Sequence, residues 1–252
     1  MERIVLKIYG DSLSLPRLQD RIDYGDEYGS ILKLLLENTF SKTFFLWNRS
    51  LGGARISQLY EQYERDKFYV GKGGILIIQS GVVDCAPRPL PLFIRQLLSV
   101  SPQFIRWRVT KFLHNNRSKI LKAGLGTRPT RPKTFKKIMK KWLESALQTE
   151  MLVLVINIAP NTDDIEKHSP GFRKSINLYN EIIASTVSKF NNSKIVLLDV
   201  NSKIKEMDKN LKTFINQKDG HHITKEGHKL YSEMLFEKIR NNLDFISGET
   251  NG

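Results

Sequence analysis

The chain has 252 residues, of which 40% are hydrophobic and 10% aromatic, and its 40 Lys and Arg against 26 Asp and Glu give a net charge of +14. This apolar content is enough for a packed core and excludes a globally disordered chain, and the length predicts one domain over residues 1–252. The single cysteine, Cys85, excludes an intramolecular disulfide and a multi-cysteine metal site.

The surplus of positive charge lies in one segment. Between Cys85 and Leu143 the sequence contains fifteen Lys and Arg and no Asp or Glu, so the rest of the chain is close to neutral. The basicity therefore predicts a local feature, and it does not by itself indicate a nucleic-acid-binding protein.

Apolar, β-branched runs alternate with helical patterns along the chain. Strands are predicted at Ile4–Tyr9, Thr43–Trp47, Gly74–Ser80, Leu152–Ile158 and Lys194–Val200, and helices at Ser30–Asn38, Ile56–Asp66, Thr134–Gln148, Ser175–Asn191 and Lys225–Asn241. This alternation predicts an α/β fold with a doubly wound, parallel, five-stranded sheet covered on both faces. Ligands of such sheets bind beyond the carboxyl ends of the strands, so the site residues are expected in the loops that follow the strands.

The segment at about 87–134 interrupts the alternation. It begins with three prolines and then carries apolar residues at helical spacing: Phe93, Ile94, Leu97 and Leu98, followed by Phe104, Trp107 and Phe112. This pattern predicts an inserted pair of amphipathic helices that form a basic cap, with the aromatic side chains at positions typical of a helix core.

The first strand ends in the letters YGDSLS. Gly10 allows a tight turn there, and Ser12 falls at the carboxyl end of the strand, where it could be a nucleophile if a base takes its proton. The alternative is that Ser12 only caps a helix.

The last predicted helix is preceded by the letters DGHHITKEGH. Asp219 and His222 are three residues apart, so the carboxylate could hold the imidazole and leave Nε2 for a serine. His221 is adjacent and His228 follows six residues later, so a metal-binding histidine cluster is the alternative.

Taken together, a GDSL block after the first strand and a DxxH block before the last helix resemble the SGNH (GDSL-type) family of esterases and acyltransferases. The resemblance implies a flavodoxin-like fold of three layers. It also implies that Ser12 is the nucleophile, His222 the base and Asp219 its partner, with neither a metal nor an organic cofactor.

The second strand is followed by WNRSLGGAR, which is similar to the N-x-G-x-S-G block of that family. Asn48 and Gly53 match the block, whereas Ser50 stands where Gly is usual and Gly52 where Ser is usual. The resemblance implies that the backbone N–H groups of Ser12 and Gly53 form the oxyanion hole. A plain glycine turn is the alternative.

The third strand is followed by SGVVDCAPR, where the family has G-x-N-D. Gly81 and Asp84 match, but Val83 replaces the Asn that gives the third oxyanion hydrogen bond. Losing one such donor costs about 10²–10³ in rate, so we expect Asn48 or Arg88 to supply a substitute. Asp84 is expected to organise its loop.

The resemblance implies a serine esterase that removes acyl groups, above all O-acetyl groups, from a carbohydrate or polysaccharide. A carbohydrate O-acyltransferase with the same triad is the close alternative. The alternative of another class is a catalytically weak protein that binds nucleic acid or an anionic surface on the same fold; no nucleic-acid motif supports it, and the aromatic residues of the insert have helix-core spacing.

The basic insert is expected to dock something anionic: an acidic polysaccharide, a phosphate-containing carrier or an anionic membrane face. A solvated, charge-rich cap is the alternative. The apolar stretch at 4–9 is too short for a signal peptide and no apolar run could span a membrane, so a cytoplasmic protein, at most peripheral to a membrane, is expected. Cys85, His114 and His168 are expected to be structural or surface residues.

Overall fold

A computed structural model describes residues 3–40, 42–70 and 73–242. The apolar runs form five strands, β1 Arg3–Gly10, β2 Thr43–Asn48, β3 Ile75–Gln79, β4 Leu152–Ile156 and β5 Ile195–Leu198. All four pairings are parallel and the strand order is β2-β1-β3-β4-β5. Every residue of β3 and β4 is buried, as expected for strands covered on both faces. The predicted doubly wound, flavodoxin-like parallel sheet is confirmed.

Helices cover both faces of the sheet. They are α1 Tyr28–Thr39, α2 Ile56–Val70, α3 Val82–Cys85, α4 Leu92–Ser99, α5 Gln103–Lys122, α6 Pro132–Leu147, α7 Asp163–His168, α8 Phe172–Phe190, α9 Val200–Met207 and α10 Lys225–Arg240. Two short 3₁₀ helices follow β1, at Ser12–Ser14 and Leu18–Asp20. Among the described residues, no helix is both long and apolar enough to cross a membrane.

Two neighbouring residues of β1 identify the two outer layers. The ring of Tyr9 packs edge-on against Tyr63 of α2 and Trp142 of α6. The preceding side chain, Ile8, faces Gly29 of α1, where an added Cβ would lie 2.5 Å from Cδ1 of Ile8. Because successive side chains of a strand point to opposite faces, α1 lies on one side of the sheet and α2 with α6 on the other.

The insert is closed at its base by a short bridge. The backbone N–H and C=O groups of Arg88 and Thr127 exchange two hydrogen bonds of 2.8 Å, and α4 and α5 lie between them. Two helices, α4 and α5, lie in the segment predicted to hold a helical pair, and α6 begins at Pro132, inside the predicted range of about 87–134.

The expected helix core of the insert is not present. Phe104, Trp107 and Phe112 are between 60% and 66% exposed, and Leu121 is the buried residue of α5. The spacing that predicted a helix was right, but it did not show which face of the helix would be covered.

The other differences concern short elements. The last strand ends at Leu198 and not at Val200, because Asp199 accepts a hydrogen bond from the N–H of Ser202 and starts α9. Helices α3, α7 and α9, of four, six and eight residues, were not predicted, since so few residues show little helical period.

Candidate active site

The strand order places a site between β1 and β3. In a sheet of order 2-1-3-4-5 the connections leave β1 and β3 toward opposite faces, which opens a crevice at the carboxyl ends of these strands. Ser12 follows β1 directly and Val83 follows β3. The loops expected to carry the site therefore meet at this point.

Ser12 begins a 3₁₀ helix of one turn. Oδ1 of Asp11, the residue before it, caps this turn by accepting the N–H of Leu13 at 3.1 Å. Gly10 is needed for space and not for the turn that we predicted: a Cβ there would collide with the side chain of Ser14. The hydroxyl of Ser14 is itself fixed at 2.6 Å from both Gln79 and Tyr28, so the chain around Ser12 is held from several sides.

Asp219 and His222 lie on a tight loop before α10. The N–H of Asn216 donates to the carbonyl of His222 at 2.7 Å, which closes the loop. Gly220 has a φ of +74°, in the left-handed region that glycine adopts without strain. Oδ1 of Asp219 accepts the backbone N–H groups of His221 and His222, at 3.2 and 3.0 Å, so the carboxylate also orders the backbone that carries the histidines.

A chain of hydrogen bonds joins the two motifs. Oγ of Ser12 lies 2.8 Å from Nε2 of His222, and Nδ1 of His222 lies 2.9 Å from Oδ2 of Asp219. Burial raises the pKa of Asp219, but hydrogen bonds from the side chain and backbone of His222, together with its charge, outweigh burial and lower the pKa well below its usual value. The carboxylate is thus ionised and accepts a hydrogen bond from the Nδ1–H group of His222, which leaves Nε2 of His222 free to accept a hydrogen bond from the hydroxyl of Ser12.

Arg17 is a site residue that the sequence did not reveal. Its guanidinium donates to Oδ2 of Asp219 at 2.9 Å and to Oδ2 of Asp20 at 2.6 Å. It follows Ser12 by five residues in no recognisable motif, and it reaches Asp219 only because the chain folds back between Arg17 and Ile22.

Gly53 lies on the loop after β2, which is tied to the end of β1. The N–H of Leu51 donates to the carbonyl of Gly10 at 2.9 Å, and Oγ of Ser50 accepts the N–H of Gly10 at 3.1 Å. Gly53 is exposed with a φ of +72°, and within the described ranges no hydrogen bond engages its N–H. The loop is thus held beside Ser12, although Gly53 is not among the residues that line the cavity at Ser12.

That cavity has a volume of about 140 Å³. Most of its wall is apolar and comes from Val82, Val83, Ala86, Pro87, Ile165 and Phe172, and its polar residues are Ser12, Arg88, Arg117, Ser169 and His221. A larger cavity of about 520 Å³, beside Asn161 and Lys205, contains none of the predicted site residues. The small cavity is therefore the relevant one for chemistry at Ser12.

The sequence matches no protein-family model and shows no significant match to a curated protein. Solved structures do match over nearly the whole chain. A lipase/acylhydrolase from Enterococcus faecalis is 12% identical with a TM-score of 0.64 and 96% of each chain covered. A member of the lipolytic G-D-S-L family from Veillonella parvula is 12% identical, with a TM-score of 0.56 and 95% of this chain and 97% of that one covered. An acetylxylan esterase from Geobacillus stearothermophilus is 11% identical, with a TM-score of 0.63 and 94% of each chain covered.

The chain has the fold of the SGNH hydrolases. The resemblance that the sequence motifs indicated is confirmed at this level, and the two features that depart from the SGNH pattern, Val83 and the basic insert, can be placed on the fold. Val83 lines the cavity at Ser12, and its side chain has no hydrogen-bond donor.

Asn48 is the weaker of the two candidates for the donor that Val83 lacks in this SGNH fold. Its Nδ2 donates to the carbonyl of Ser14 at 3.0 Å, and its Oδ1 accepts the N–H of Ser50 at 3.0 Å. The amide therefore already bridges the loops after β1 and β2. Arg88 fits the expectation better: it lines the cavity at Ser12, and its buried Nε has no hydrogen-bond partner among the described residues.

Asp84 links three parts of the fold. Its carboxylate accepts the N–H of Ile56, at 3.0 Å to Oδ2, and the hydroxyl of Thr130. Burial raises its pKa to about 6. Ile56 begins α2 three residues after Gly53. By binding its N–H, Asp84 ties the loop after β3 to the loop that carries Gly53, as expected of a residue that organises its loop.

Among the described residues, the groups that could hold a metal ion already make hydrogen bonds. Asp219, His221 and His222 form the candidate cluster in the described part of the chain, with ligand atoms within 4.8 Å of one another. Both oxygens of Asp219 already accept hydrogen bonds, and Nδ1 of His221 lies 2.9 Å from the carbonyl of Asp219. Binding a metal there would break the contact between Asp219 and His222.

The remaining candidates have structural or surface positions. His228 is buried against Tyr28, its Nδ1 accepts the N–H of Tyr28 at 3.1 Å, and burial lowers its pKa to about 4. Cys85 is fully buried, which raises the pKa of its thiol. His114 and His168 are exposed.

Proposed function

We propose that this protein is a serine esterase that removes short acyl groups, above all O-acetyl groups, from a carbohydrate. The observation that carries the proposal is the hydrogen-bond chain from Ser12 through His222 to Asp219, which opens on a small cavity at the carboxyl edge of the sheet. A serine becomes a nucleophile when an adjacent base takes its proton, and this arrangement supplies the base and the group that orients it.

Acylation begins at Ser12. Its Oγ attacks the carbonyl carbon of the ester while Nε2 of His222, 2.8 Å away, takes the hydroxyl proton. The C=O π bond opens, and its electron pair forms the oxyanion of the tetrahedral intermediate. The anionic Asp219 stabilises the imidazolium through the contact at Nδ1.

Collapse of the intermediate breaks the bond to the alcohol. The carbonyl forms again, the alcohol oxygen leaves with the proton from His222, and the acyl group stays on Ser12. Water then gives a proton to His222 and attacks the acyl carbon, and the second tetrahedral intermediate releases the acid and restores Ser12. No step needs a metal or an organic cofactor.

The oxyanion needs donors that are fixed before the reaction. We assign the backbone N–H groups of Ser12 and Gly53, and we assign the third position to Arg88 in place of Val83. The buried, unpartnered Nε of Arg88 supports this assignment, because this donor does not have to break an existing hydrogen bond in order to bind the oxyanion.

The size of the cavity supports a short acyl group. About 140 Å³ is well below the ~300–1,000 Å³ of pockets that enclose drug-sized ligands. Its apolar wall suits the methyl group of an acetyl ester. Acetyl xylan esterases among the structures with this fold support a carbohydrate as the alcohol part.

A serine-reactive fluorophosphonate tests the nucleophile. We expect one label on Ser12, found by peptide mass spectrometry, and at least ~100-fold slower labelling of His222→Ala because the base is lost. Ser12→Ala should not be labelled, and Ser202→Ala, at an exposed helix start, should be labelled as wild type. Labelling elsewhere, or unchanged labelling of His222→Ala, would exclude the mechanism.

The products separate hydrolysis from transfer. With an acetylated oligosaccharide we expect free acetate in a 1:1 ratio to deacetylated sugar. Acetate below that ratio, with the missing acetyl groups on a second sugar, would favour an O-acyltransferase with the same triad. An unlabelled protein that binds RNA or DNA with steep salt dependence would favour the non-enzymatic alternative.

A further inference from the structure

A second cavity lies between α4 and α5 of the insert. It has a volume of about 400 Å³, and its titratable lining residues are all basic: Arg88, Arg95, Arg106, His114 and Arg117. Leu90, Leu98 and Leu113 supply apolar parts of the wall. A pocket with this lining can enclose a small polar ligand on a partly apolar floor.

The helical period of α5 places its cavity residues on one face. Arg106, Thr110, Leu113, His114 and Arg117 follow one another at intervals of four, three, one and three residues, which keeps them on one stripe of a helix. The exposed Arg108 and Lys119 lie on the opposite side. Two of these five cavity residues are arginines: Arg117, which is partly buried, and Arg106, which is exposed.

No carboxylate neutralises this cluster within the described ranges. The sequence has no Asp or Glu between Cys85 and Leu143, and none of the ion pairs there involves Arg88, Arg95 or Arg117. In α7, which packs against α5, Asp164 pairs with Lys167 and Asp163 with Arg173.

The basic groups instead perturb one another. Burial lowers the pKa of Arg88, and the charges of Arg95 and Arg117 lower it further. Burial and the charge of Arg95 do the same to Arg117. Like charges that are gathered with no counter-charge destabilise the empty site, and a bound anion removes this repulsion.

The cluster is continuous with the candidate active site. Arg88 and Arg117 line both this cavity and the smaller cavity that contains Ser12. Arg117 is held in place, since it donates to the carbonyl of Pro87 at 2.6 Å and to Oγ of Ser169 at 2.8 Å. A ligand with an ester at Ser12 could thus extend past these two side chains into the basic cavity.

We infer that the cavity between α4 and α5 is a subsite for an oxyanion group, a phosphate or a carboxylate, on the alcohol part of the ester. This inference rests on the proposed esterase function. The guanidinium groups match the planar or tetrahedral oxygens of such anions and bind them in pairs of hydrogen bonds. The substrate class is therefore an O-acylated sugar or sugar-like alcohol that carries a negative charge.

Three monoacetylated glycosides that differ at one carbon test this subsite: one with a neutral hydroxymethyl group, one with a carboxylate and one with a phosphate. For wild type we expect kcat/KM to be at least ~10-fold higher for one or both charged esters than for the neutral one, mainly through KM. The ester with the larger ratio identifies the anion. Equal values for all three would overturn the inference.

A double variant and a matched control separate the subsite from general electrostatics. Arg95→Gln/Arg106→Gln should bring the preference down to about 1 without changing hydrolysis of p-nitrophenyl acetate. Arg108→Gln/Lys119→Gln removes the same charge from the other face of α5 and should keep the preference. If both variants reduce it equally, the specific subsite is excluded.

Failure of the esterase proposal is visible separately. If wild type hydrolyses no ester and takes up no fluorophosphonate, the function is wrong, and titration calorimetry with inorganic phosphate still tests the cavity. We then expect binding that Arg95→Gln/Arg106→Gln abolishes and Arg108→Gln/Lys119→Gln retains. Absence of phosphate binding to wild type would overturn the subsite itself.

The outer face of the insert carries a second, independent inference. Its most exposed apolar side chains are Phe93, Leu97, Val100, Phe104, Trp107, Phe112 and Leu125, each between 60% and 80% exposed. Exposed basic residues accompany them on α5: Arg108, Lys111, whose Nζ lies 4.7 Å from the ring centre of Trp107, and Lys119. Segments that lie in a lipid interface combine exposed Trp, Phe and Leu side chains with Lys and Arg.

We propose that this outer face docks on an anionic phospholipid surface. The charge favours an anionic partner, and the aromatic rings supply apolar area that a purely electrostatic contact with nucleic acid would not need. Co-sedimentation should show at least ~5-fold more protein on phosphatidylserine vesicles than on phosphatidylcholine vesicles, with the difference reduced by 0.5 M NaCl.

Variants of the two kinds of residue separate the contributions. Phe104→Ser/Trp107→Ser should abolish vesicle binding, whereas Arg95→Gln/Arg106→Gln, at two residues that line the cavity, should retain it. Equal binding of the Phe104→Ser/Trp107→Ser variant, or binding to RNA that competes with vesicles and survives this substitution, would overturn the membrane contact.

Discussion

Arg17 and His222 contact the same oxygen, Oδ2 of Asp219, each at 2.9 Å. The two contacts approach the carboxylate from different parts of the chain, since Arg17 follows the first strand and His222 precedes the last helix. Oδ1 is meanwhile occupied by the N–H groups of His221 and His222. The carboxylate is thus fixed in orientation, and the imidazole that it holds is fixed with it.

Asp219→Asn tests the role of the carboxylate. The amide would place a donor against Nδ1 of His222 and favour the tautomer with the proton on Nε2, which cannot accept from Ser12. We expect kcat for p-nitrophenyl acetate to fall about 10⁴-fold with little change in KM. Asp20→Asn is the control, because Asp20 contacts Arg17 but not His222, and a loss of similar size there would contradict this role.

Arg17→Met tests whether the guanidinium positions Asp219. Without it the carboxylate keeps its contacts with the histidines but loses one restraint, and small displacements of catalytic groups cost up to about 10²-fold in rate. We expect kcat to fall about 10-fold with KM unchanged, and Arg17→Lys to recover part of the loss. Stopped-flow labelling by fluorophosphonate measures the step directly; an unchanged rate would show that Arg17 is only structural.

If Arg88 supplies the third oxyanion donor, an amide introduced at position 83 should be able to replace it. Arg88→Met should lower kcat about 10²-fold, the usual cost of one donor. Val83→Asn adds an amide to the same cavity, and in the Arg88→Met background it should restore at least ~10-fold, whereas in wild type it should have little effect. Additive effects of the two substitutions would exclude a shared role.

The sequence predicted the sheet and the Ser12, Asp219 and His222 cluster because both follow from local patterns. Apolar runs mark strands of a parallel sheet. Ser12 follows such a strand, whereas Asp219 and His222 lie between α9 and α10 and were joined to Ser12 by the resemblance of the two motifs to one family. Arg17 was missed because its contact depends on a loop conformation with no sequence signal. Asn48 was assigned a donor role because the sequence could not show that its amide is used by Ser14 and Ser50.

The insert was predicted as two helices, but the function of its faces was not. Phe104 and Trp107 have the spacing of a helix core, and periodicity alone cannot tell a covered face from an exposed one. The basic cavity could not be predicted either, since it needs α4 and α5 to pack side by side. The charge of the segment was evident from the sequence, whereas its division between an inner and an outer face was not.

Metal ions should inhibit and not activate this protein. A divalent ion that binds Asp219, His221 and His222 takes the oxygens that hold the imidazole, so metal binding and catalysis exclude each other. We expect full activity after dialysis against EDTA and progressive inhibition by Zn²⁺. His221→Ala should weaken this inhibition at least ~10-fold, as one ligand is removed. Loss of activity with EDTA that Zn²⁺ restores would support a metal enzyme instead.

Asp11, next to Ser12, should make stability depend on pH. It is fully buried, Oδ1 accepts hydrogen bonds from Leu13 and Gln79, and Oδ2 has no partner among the described residues. Burial raises its pKa to about 7 from an ordinary value of 3.8. Between these two values the folded protein holds a proton that the unfolded chain has lost, so the free energy of unfolding decreases as pH rises through this window.

Asp11→Asn removes this titration and keeps the shape of the neutral side chain. One such group changes the free energy of unfolding by at most about 1.4 kcal/mol per pH unit. The variant should therefore be as stable as wild type near pH 4 and more stable by roughly a few kcal/mol at pH 8. Urea unfolding at both pH values measures the difference. Asp164→Asn, at a side chain that is 77% exposed, should change stability by less than about 0.5 kcal/mol at either pH. A destabilised Asp11→Asn at pH 8 would mean that the buried carboxylate is ionised and its charge is compensated in the fold.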